Sequence, residues 1–186
     1  MTLSPLVLDD HDELVAAASD GELWKLSYTS VPSPQTMAAA IEQRLAWQAA
    51  GTMLPFTVRR AGDDQIIGMT TFCNADPVNR RVEIGYTWNA VSAQRSGTNT
   101  ESKLLLLEHA FTTLDCIAVE LRTHWLNQQS RRAIERLGAK QDGVLRNHIR
   151  MPDGTLRDTV VYSILPHEWP AIRTELQRRL AAHRPS

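Results

Sequence analysis

The sequence is short of cysteine, of lysine and of long apolar runs, and each shortage excludes something. Its 186 residues hold two cysteines, Cys73 and Cys116, with no CxxC pair. A disulfide framework or a thiolate zinc site needs more, and this usage suits a reducing compartment. Lysine stands only at Lys25, Lys103 and Lys140, against seventeen arginines, and the net charge is −1. Without a basic surplus no nucleic-acid partner is expected, and without clustered lysines no polybasic membrane tether. No run approaches the roughly 20 apolar residues of a membrane span. The opening MTLSPLVLDDHDE turns acidic with no basic region before it, unlike a signal peptide. A cytoplasmic chain without a membrane partner is the expectation. The histidines (11, 109, 124, 148, 167 and 183) show no HExxH or comparable spacing, so no metal is expected.

What is present is an ordinary globular composition, 42% hydrophobic and 22% charged. The length suits a single domain over residues 1–186. Residues 6–9 read as a short apolar strand, residues 11–19 as a helix, and residues 33–48 as a helix capped by Ser33 with Pro34 in its first turn. Strand-like runs lie at 54–60 and 65–73, joined by Ala61-Gly62-Asp63-Asp64, and at 81–89, where Val82, Ile84, Tyr86 and Trp88 alternate. Residues 97–114 read as a helix on the stripe Leu104, Leu107, Phe111 and Leu114, and residues 117–123 as a strand. A helix at 127–137 ends at Gly138, strands at 143–148 and 156–165 flank the turn Pro152-Asp153-Gly154, and an amphipathic helix covers 169–182. The predicted order is β-α-α-β-β-β-α-β-α-β-β-α, a mixed α/β sandwich with helices on both faces of one sheet.

The stretch Gln94-Arg95-Ser96-Gly97-Thr98-Asn99 runs from a strand into a helix start. Unpaired N–H groups and the helix dipole make such a terminus receptive to phosphate. Gly97 removes the Cβ that would hold an anion off, and Arg95 adds charge. Thr98-Asn99-Thr100-Glu101 also reads as a capping box, which satisfies the same amides without a ligand. GxxxxGK[ST] is absent, and one glycine stands where a dinucleotide fingerprint needs three.

Three spaced motifs carry a resemblance: Glu83-Ile84-Gly85-Tyr86 ahead of that loop, Asn127-Gln128-Gln129-Ser130-Arg131-Arg132, and Leu137-Gly138-Ala139. Together they resemble the GNAT acetyltransferases, in the branch of the RimJ/RimL-type ribosomal-protein N-terminal acetyltransferases. The resemblance implies a mostly antiparallel sheet with one splayed parallel strand pair, 81–89 beside 117–123. It implies acetyl-coenzyme A in the splay, its pyrophosphate on the amides of Gln94, Arg95, Ser96, Gly97, Thr98 and Asn99. Backbone at Trp88 and Asn89 would pair with the pantetheine arm, and Asn127 and Ser130 would face the pantetheine and thioester. Similar proteins also form homodimers. Two positions depart from the family pattern: Asn99 closes the loop where glycine or alanine is usual, and Ala133 and Ile134 stand where many members carry a tyrosine acid. That leaves Ser130 or solvent to protonate the departing thiolate.

Acyl transfer to an amine requires a neutral nucleophile and so a base. Glu83 is the carboxylate on the first cofactor strand; it is equally readable as a surface partner of Arg81 or Arg122. His124, at the end of the other strand, is the second candidate base, at a position that favours exposure. Asn127 is a helix cap as well as a family position. Trp88 and Trp125 fall where a substrate cleft would open, and residues 21–34 and 146–157 are the acceptor loops, with Asp20, Glu22 and Asp76 as acids that would attract a cation. The resulting expectation is an N-acetyltransferase working by direct amine attack on a thioester. The alternative is a non-catalytic acyl-coenzyme A-binding module.

Overall fold

The computed structural model describes residues 1–183, in which the shifts between period two and period 3.6 resolve into seven strands and five helices. In chain order these are β1 (Thr2–Pro5), α1 (His11–Ser19), α2 (Met37–Ala49), β2 (Met53–Arg59), β3 (Ile66–Asp76), β4 (Arg81–Asn89), α3 (Thr98–Thr112), β5 (Ala118–His124), α4 (Gln128–Arg136), β6 (Lys140–Arg150), β7 (Leu156–Ile164) and α5 (Trp169–His183). The order is the one the periodicity predicts. Residues 6–9 are the exception, because the first strand lies earlier. The Asp10 carboxylate accepts from the Val7 N–H (3.0 Å) and pairs with Arg59 (2.7 Å), which curls the chain into a 3-10 turn at Leu8–Asp10. The second helix starts at Met37, not 33. Thr36 Oγ1 accepts from the Ser33 N–H (2.9 Å), so the two hold a turn ahead of the helix.

The strands form one sheet in the order β1-β2-β3-β4-β5-β7-β6. Every neighbouring pair is antiparallel except β4 and β5. One face carries Val82, Ile84, Val119, Leu121 and Tyr162 against α3, α4 and α5. The other carries Val58, Ile67, Met69 and Trp88 against α1 and α2. Leu14, Leu107 and Met37 are 0% exposed, and each such side chain contributes about 1.5–3 kcal/mol. No described helix is long and apolar enough to cross a membrane.

Two departures from simple alternation shape the centre of the molecule. In β4, Thr71 of β3 faces Gly85 while Met69 faces Trp88, so β4 holds one residue more, and Tyr86 takes a left-handed φ of 50°. This bulge reverses the facing of the residues beyond it. Val82 and Ile84 lie on the α3 face as expected, but Trp88 turns to the α1/α2 core and Tyr86 meets α2. In α3 the buried stripe is Ser102, Lys103, Leu106, Leu107 and Ala110, rotated from the predicted one, and Leu114 is 46% exposed.

Candidate active site

β4 and β5 pair in parallel over three positions, Arg81↔Ala118, Val82↔Val119 and Glu83↔Glu120, and no further. β4 continues to Asn89 and β5 to His124, so beyond Glu83 the strands part and the edge of β4 facing β5 is unpaired. Glu83 thus stands at the fork. An unpaired strand edge inside a sheet is a template for an extended ligand.

Gln94 ties the far side of the opening together. Its Nε2 donates to the Asn89 carbonyl (3.1 Å), and its Oε1 accepts from Gln129 Nε2 at the start of α4 (3.1 Å). Arg95 and Gly97 have left-handed φ values of 61° and 88°, and Gly97 is the N-cap of α3 with no side-chain cap. The capping box does not form: the Glu101 carboxylate pairs with the Met1 ammonium instead (3.2 Å). The first-turn N–H groups of a 15-residue helix are therefore presented without a side-chain cap, beside an exposed Arg95. Asn127 does cap α4, its Oδ1 accepting from the Ser130 N–H (3.0 Å). Ser130 is half-buried, and its hydroxyl has no partner among the described residues.

The face of the fork toward α2 is polar. Glu83 is only 8% exposed, accepts from Asn74 Nδ2 (2.9 Å) and lies 3.4 Å from Arg122 Nε. Burial raises its pKa, and Glu120 adds to the rise, against the lowering pull of Asn74, Arg122 and Arg157. Arg81 pairs with Glu120 rather than with Glu83. His124 is also 8% exposed, which corrects the expectation of exposure at a strand end: it pairs with Thr159 of β7, and its Nδ1 accepts from the Leu126 N–H (3.0 Å). Burial and then Arg157 push its pKa down, so the ring is held neutral. Cys73, facing Glu83 across the β3–β4 pair, has its thiol pushed up to about 12 by burial and then by Glu83, which disqualifies it as a nucleophile.

Gly85 lies where a Cβ would come within 3.0 Å of Glu83 Oε1 and 3.1 Å of Cys73 Sγ, so the carboxylate fills the space a side chain would take. A groove of about 490 Å³ continues along this face at the closed end of the strand pair, past Arg81, Glu120, Arg122 and Asp142. It leads up to the fork and does not contain it.

The chain's similarities to known proteins agree with this geometry. The acetyltransferase (GNAT) domain family matches residues 1–140. The chain belongs to the GNAT acetyltransferase family. YdaF of Bacillus subtilis (strain 168), named as a candidate ribosomal N-acetyltransferase, is 35% identical over 107 residues. That match spans 58% of this chain and 57% of YdaF, little more than half of each. A GCN5-related N-acetyltransferase from Brucella melitensis superposes with a TM-score of 0.85 at 30% identity, over 96% of this chain and 81% of that one. Mycobacterium smegmatis RimJ, solved with a coenzyme A disulfide, shares the fold with a TM-score of 0.78 at 23% identity, over 98% of this chain and 88% of RimJ.

Several residues near the fork escape the sequence reading. Arg44 is 6% exposed on α2, where the predicted stripe favours Leu45. Its guanidinium sits 5.6 Å over the Tyr86 ring, and Trp47, one turn on, lies 6.3 Å from the same ring. A charged residue one place off an apolar stripe is the only sequence signal Arg44 offers. Arg157 enters from β7. Of the predicted cleft tryptophans, Trp125 is 41% exposed under Arg131, whereas Trp88 is core. Asp20, Glu22 and Asp76 are engaged locally, with Ser92, Lys25 and Asn79.

Proposed function

We propose that the chain is an acetyl-coenzyme A-dependent N-acetyltransferase that carries out direct attack by a primary amine on the thioester. The observation that carries this is the fork: a parallel pair that stops at Glu83, with a free β4 edge, and an uncapped α3 terminus beside its open end.

The residues present fit the acyl donor. Pyrophosphate suits the amides of residues 95–99, beside the left-handed backbone at Arg95 and Gly97. The expected Gln94 amide drops out, because its N–H donates to the Val91 carbonyl (3.0 Å). A pantetheine arm suits the free edge at Trp88 and Asn89, with Asn127 and Ser130 opposite. Bound there, acetyl-coenzyme A supplies an activated acyl carbon. The chain's own residues do the rest. Glu83, whose pKa burial raises, takes the proton of the incoming amine through water as the carboxylate. His124, neutral and proton-accepting, is the second candidate. Backbone N–H groups near Trp88 and Asn89 receive the oxyanion. The Ser130 hydroxyl is free to meet the leaving sulfur; Tyr162, the nearest tyrosine to α4, is occupied by Arg131 (3.2 Å) and Glu135 (3.0 Å). A single domain over residues 1–186, a cytoplasmic location and a homodimer belong to the same proposal.

A panel of primary amines, from peptide N-termini to polyamines, read by free thiol release from acetyl-coenzyme A, tests the activity. Amine-dependent release is expected. Tight acetyl-coenzyme A binding with no release from any amine would instead identify a binding module.

A further inference from the structure

The α2-facing wall of the fork holds two arginines that form no ion pair among the described residues. Arg44 is 6% exposed, and its Nη1 donates to the Ala40 carbonyl at 3.0 Å. Its Nε is buried with no hydrogen-bond partner. Among the described residues it has no carboxylate partner, and the ionisable group it feels is Tyr86. Arg157 is half-buried, donates through Nε to Thr159 Oγ1 (3.0 Å), and likewise forms no ion pair with an acid among the described residues. It is near enough to Glu83, Tyr86 and His124 for their charges to interact. The other arginines of this face are neutralised: Arg81 and Arg122 share Glu120, and Arg122 also reaches Glu83.

A guanidinium removed from water without a counter-ion is costly, and proteins normally pair it. Here the Tyr86 ring holds one face of Arg44, and the Tyr86 left-handed bulge brings that ring to the fork. The planar, two-pronged guanidinium matches a carboxylate geometrically.

We infer that the acceptor carries a carboxylate, which Arg44 and Arg157 hold beside Tyr86 while its amine points toward Glu83. The inference rests on the acetyltransferase reading above and adds the acceptor's chemical class. Trp47, 37% exposed against Tyr86, forms the apolar wall for the carbon chain between the two groups. Polyamines and other purely cationic amines are disfavoured by the same two arginines.

The test compares matched acceptors on the full chain: glycine, alanine and glutamate, each against its carboxamide, and short peptides with an internal glutamate against their glutamine counterparts. The acid of one series should exceed its neutral twin at least tenfold in kcat/KM, and that series identifies whether the carboxylate belongs to an amino acid or a peptide. Arg44→Gln should raise KM for the acid about tenfold or more and leave kcat and the neutral twin nearly unchanged. Arg157→Gln, which also alters the field at Glu83 and His124, should raise KM for the acid by a similar factor, while any change in kcat falls equally on acid and neutral twin. Arg44→Lys, which keeps charge but loses the two-pronged geometry, covers the case of an unfolded glutamine variant and should retain part of the preference. Equal use of acids and amides by the parent, or an unaltered preference in the variants, overturns the inference. If no amine releases thiol, the activity reading fails, and calorimetry decides the anion site separately. N-acetylated acids should then bind where N-acetylated amides do not, and both glutamine variants should lose them. No such difference overturns this inference too.

Discussion

Lys103→Met should make the protein more stable at neutral pH. Lys103 is 3% exposed on α3, and its Nζ donates to Thr70 Oγ1 (2.9 Å) and Thr87 Oγ1 (2.5 Å), with no ion pair to a carboxylate among the described residues. Burial pulls its pKa from 10.5 down to about 7. At roughly 1.4 kcal/mol per pH unit, keeping this amine in the core costs on the order of 4 kcal/mol near pH 7. Because the folded pKa lies below the unfolded one, stability is fully present above about pH 10.5 and is lost progressively as pH falls from there through about 7. Methionine fills the same channel uncharged. It forfeits two hydrogen bonds of about 1 kcal/mol each, while Thr70 and Thr87 keep their own contact at 2.8 Å. The net gain is about 2 kcal/mol. Urea unfolding from about pH 7 to about pH 9.5 should show the parent gaining stability along a slope that Lys103→Met abolishes. A flat parent profile, or a variant less stable at pH 7 with the slope intact, would refute the reasoning.

Glu83→Gln should lower the turnover rate by roughly 10²–10⁴-fold with acetyl-coenzyme A affinity nearly intact, and the acidic limb of the pH–rate profile should vanish or move. Because burial raises the folded pKa of Glu83, its contribution to stability is present at low pH and lost as pH rises through that pKa, so the same variant should melt higher than the parent above it. A rate loss under about tenfold with an unshifted profile would transfer the role to His124. Gly97→Val should weaken acetyl-coenzyme A binding at least about tenfold, near 1.4 kcal/mol by calorimetry, since a branched residue resists the left-handed φ of 88° and blocks the amides. Asn127→Ala should cost roughly 1 kcal/mol through the lost cap. It should also be protected less than the parent by acetyl-coenzyme A in melting experiments, whereas equal protection would leave Asn127 a cap alone.

The β4-to-α4 segment is legible in the sequence because its signals are local. The strand, the glycine-bearing loop and the helix start at Asn127 read directly from spacing, whereas a cofactor role for Asn127 and Ser130 comes only with the resemblance to the family. The bulge at Tyr86 is not legible, since one added residue carries no compositional mark yet reverses the facing of Trp88. Arg44 is hidden by the same logic: periodicity favours Leu45, and only the position of the Tyr86 ring explains a cation on the buried side of α2. Lys103 stands just off the predicted stripe, and the threonine pair that receives it comes from two different strands. The capping box at Thr98–Glu101 is a fair reading of four residues, overturned by an ammonium about a hundred residues away in the chain.

Acyl-group tracing tests the central claim most directly. With acetyl-coenzyme A labelled in its acetyl group and an accepted amine, the label should appear on the amine one for one with free thiol. None should be found on the protein when the reaction is quenched in its first turnover, in keeping with a Cys73 thiol pushed up to about 12. Label retained on Cys73, Cys116 or Ser130, or thiol released without acetylated amine, would contradict direct transfer at the β4–β5 fork.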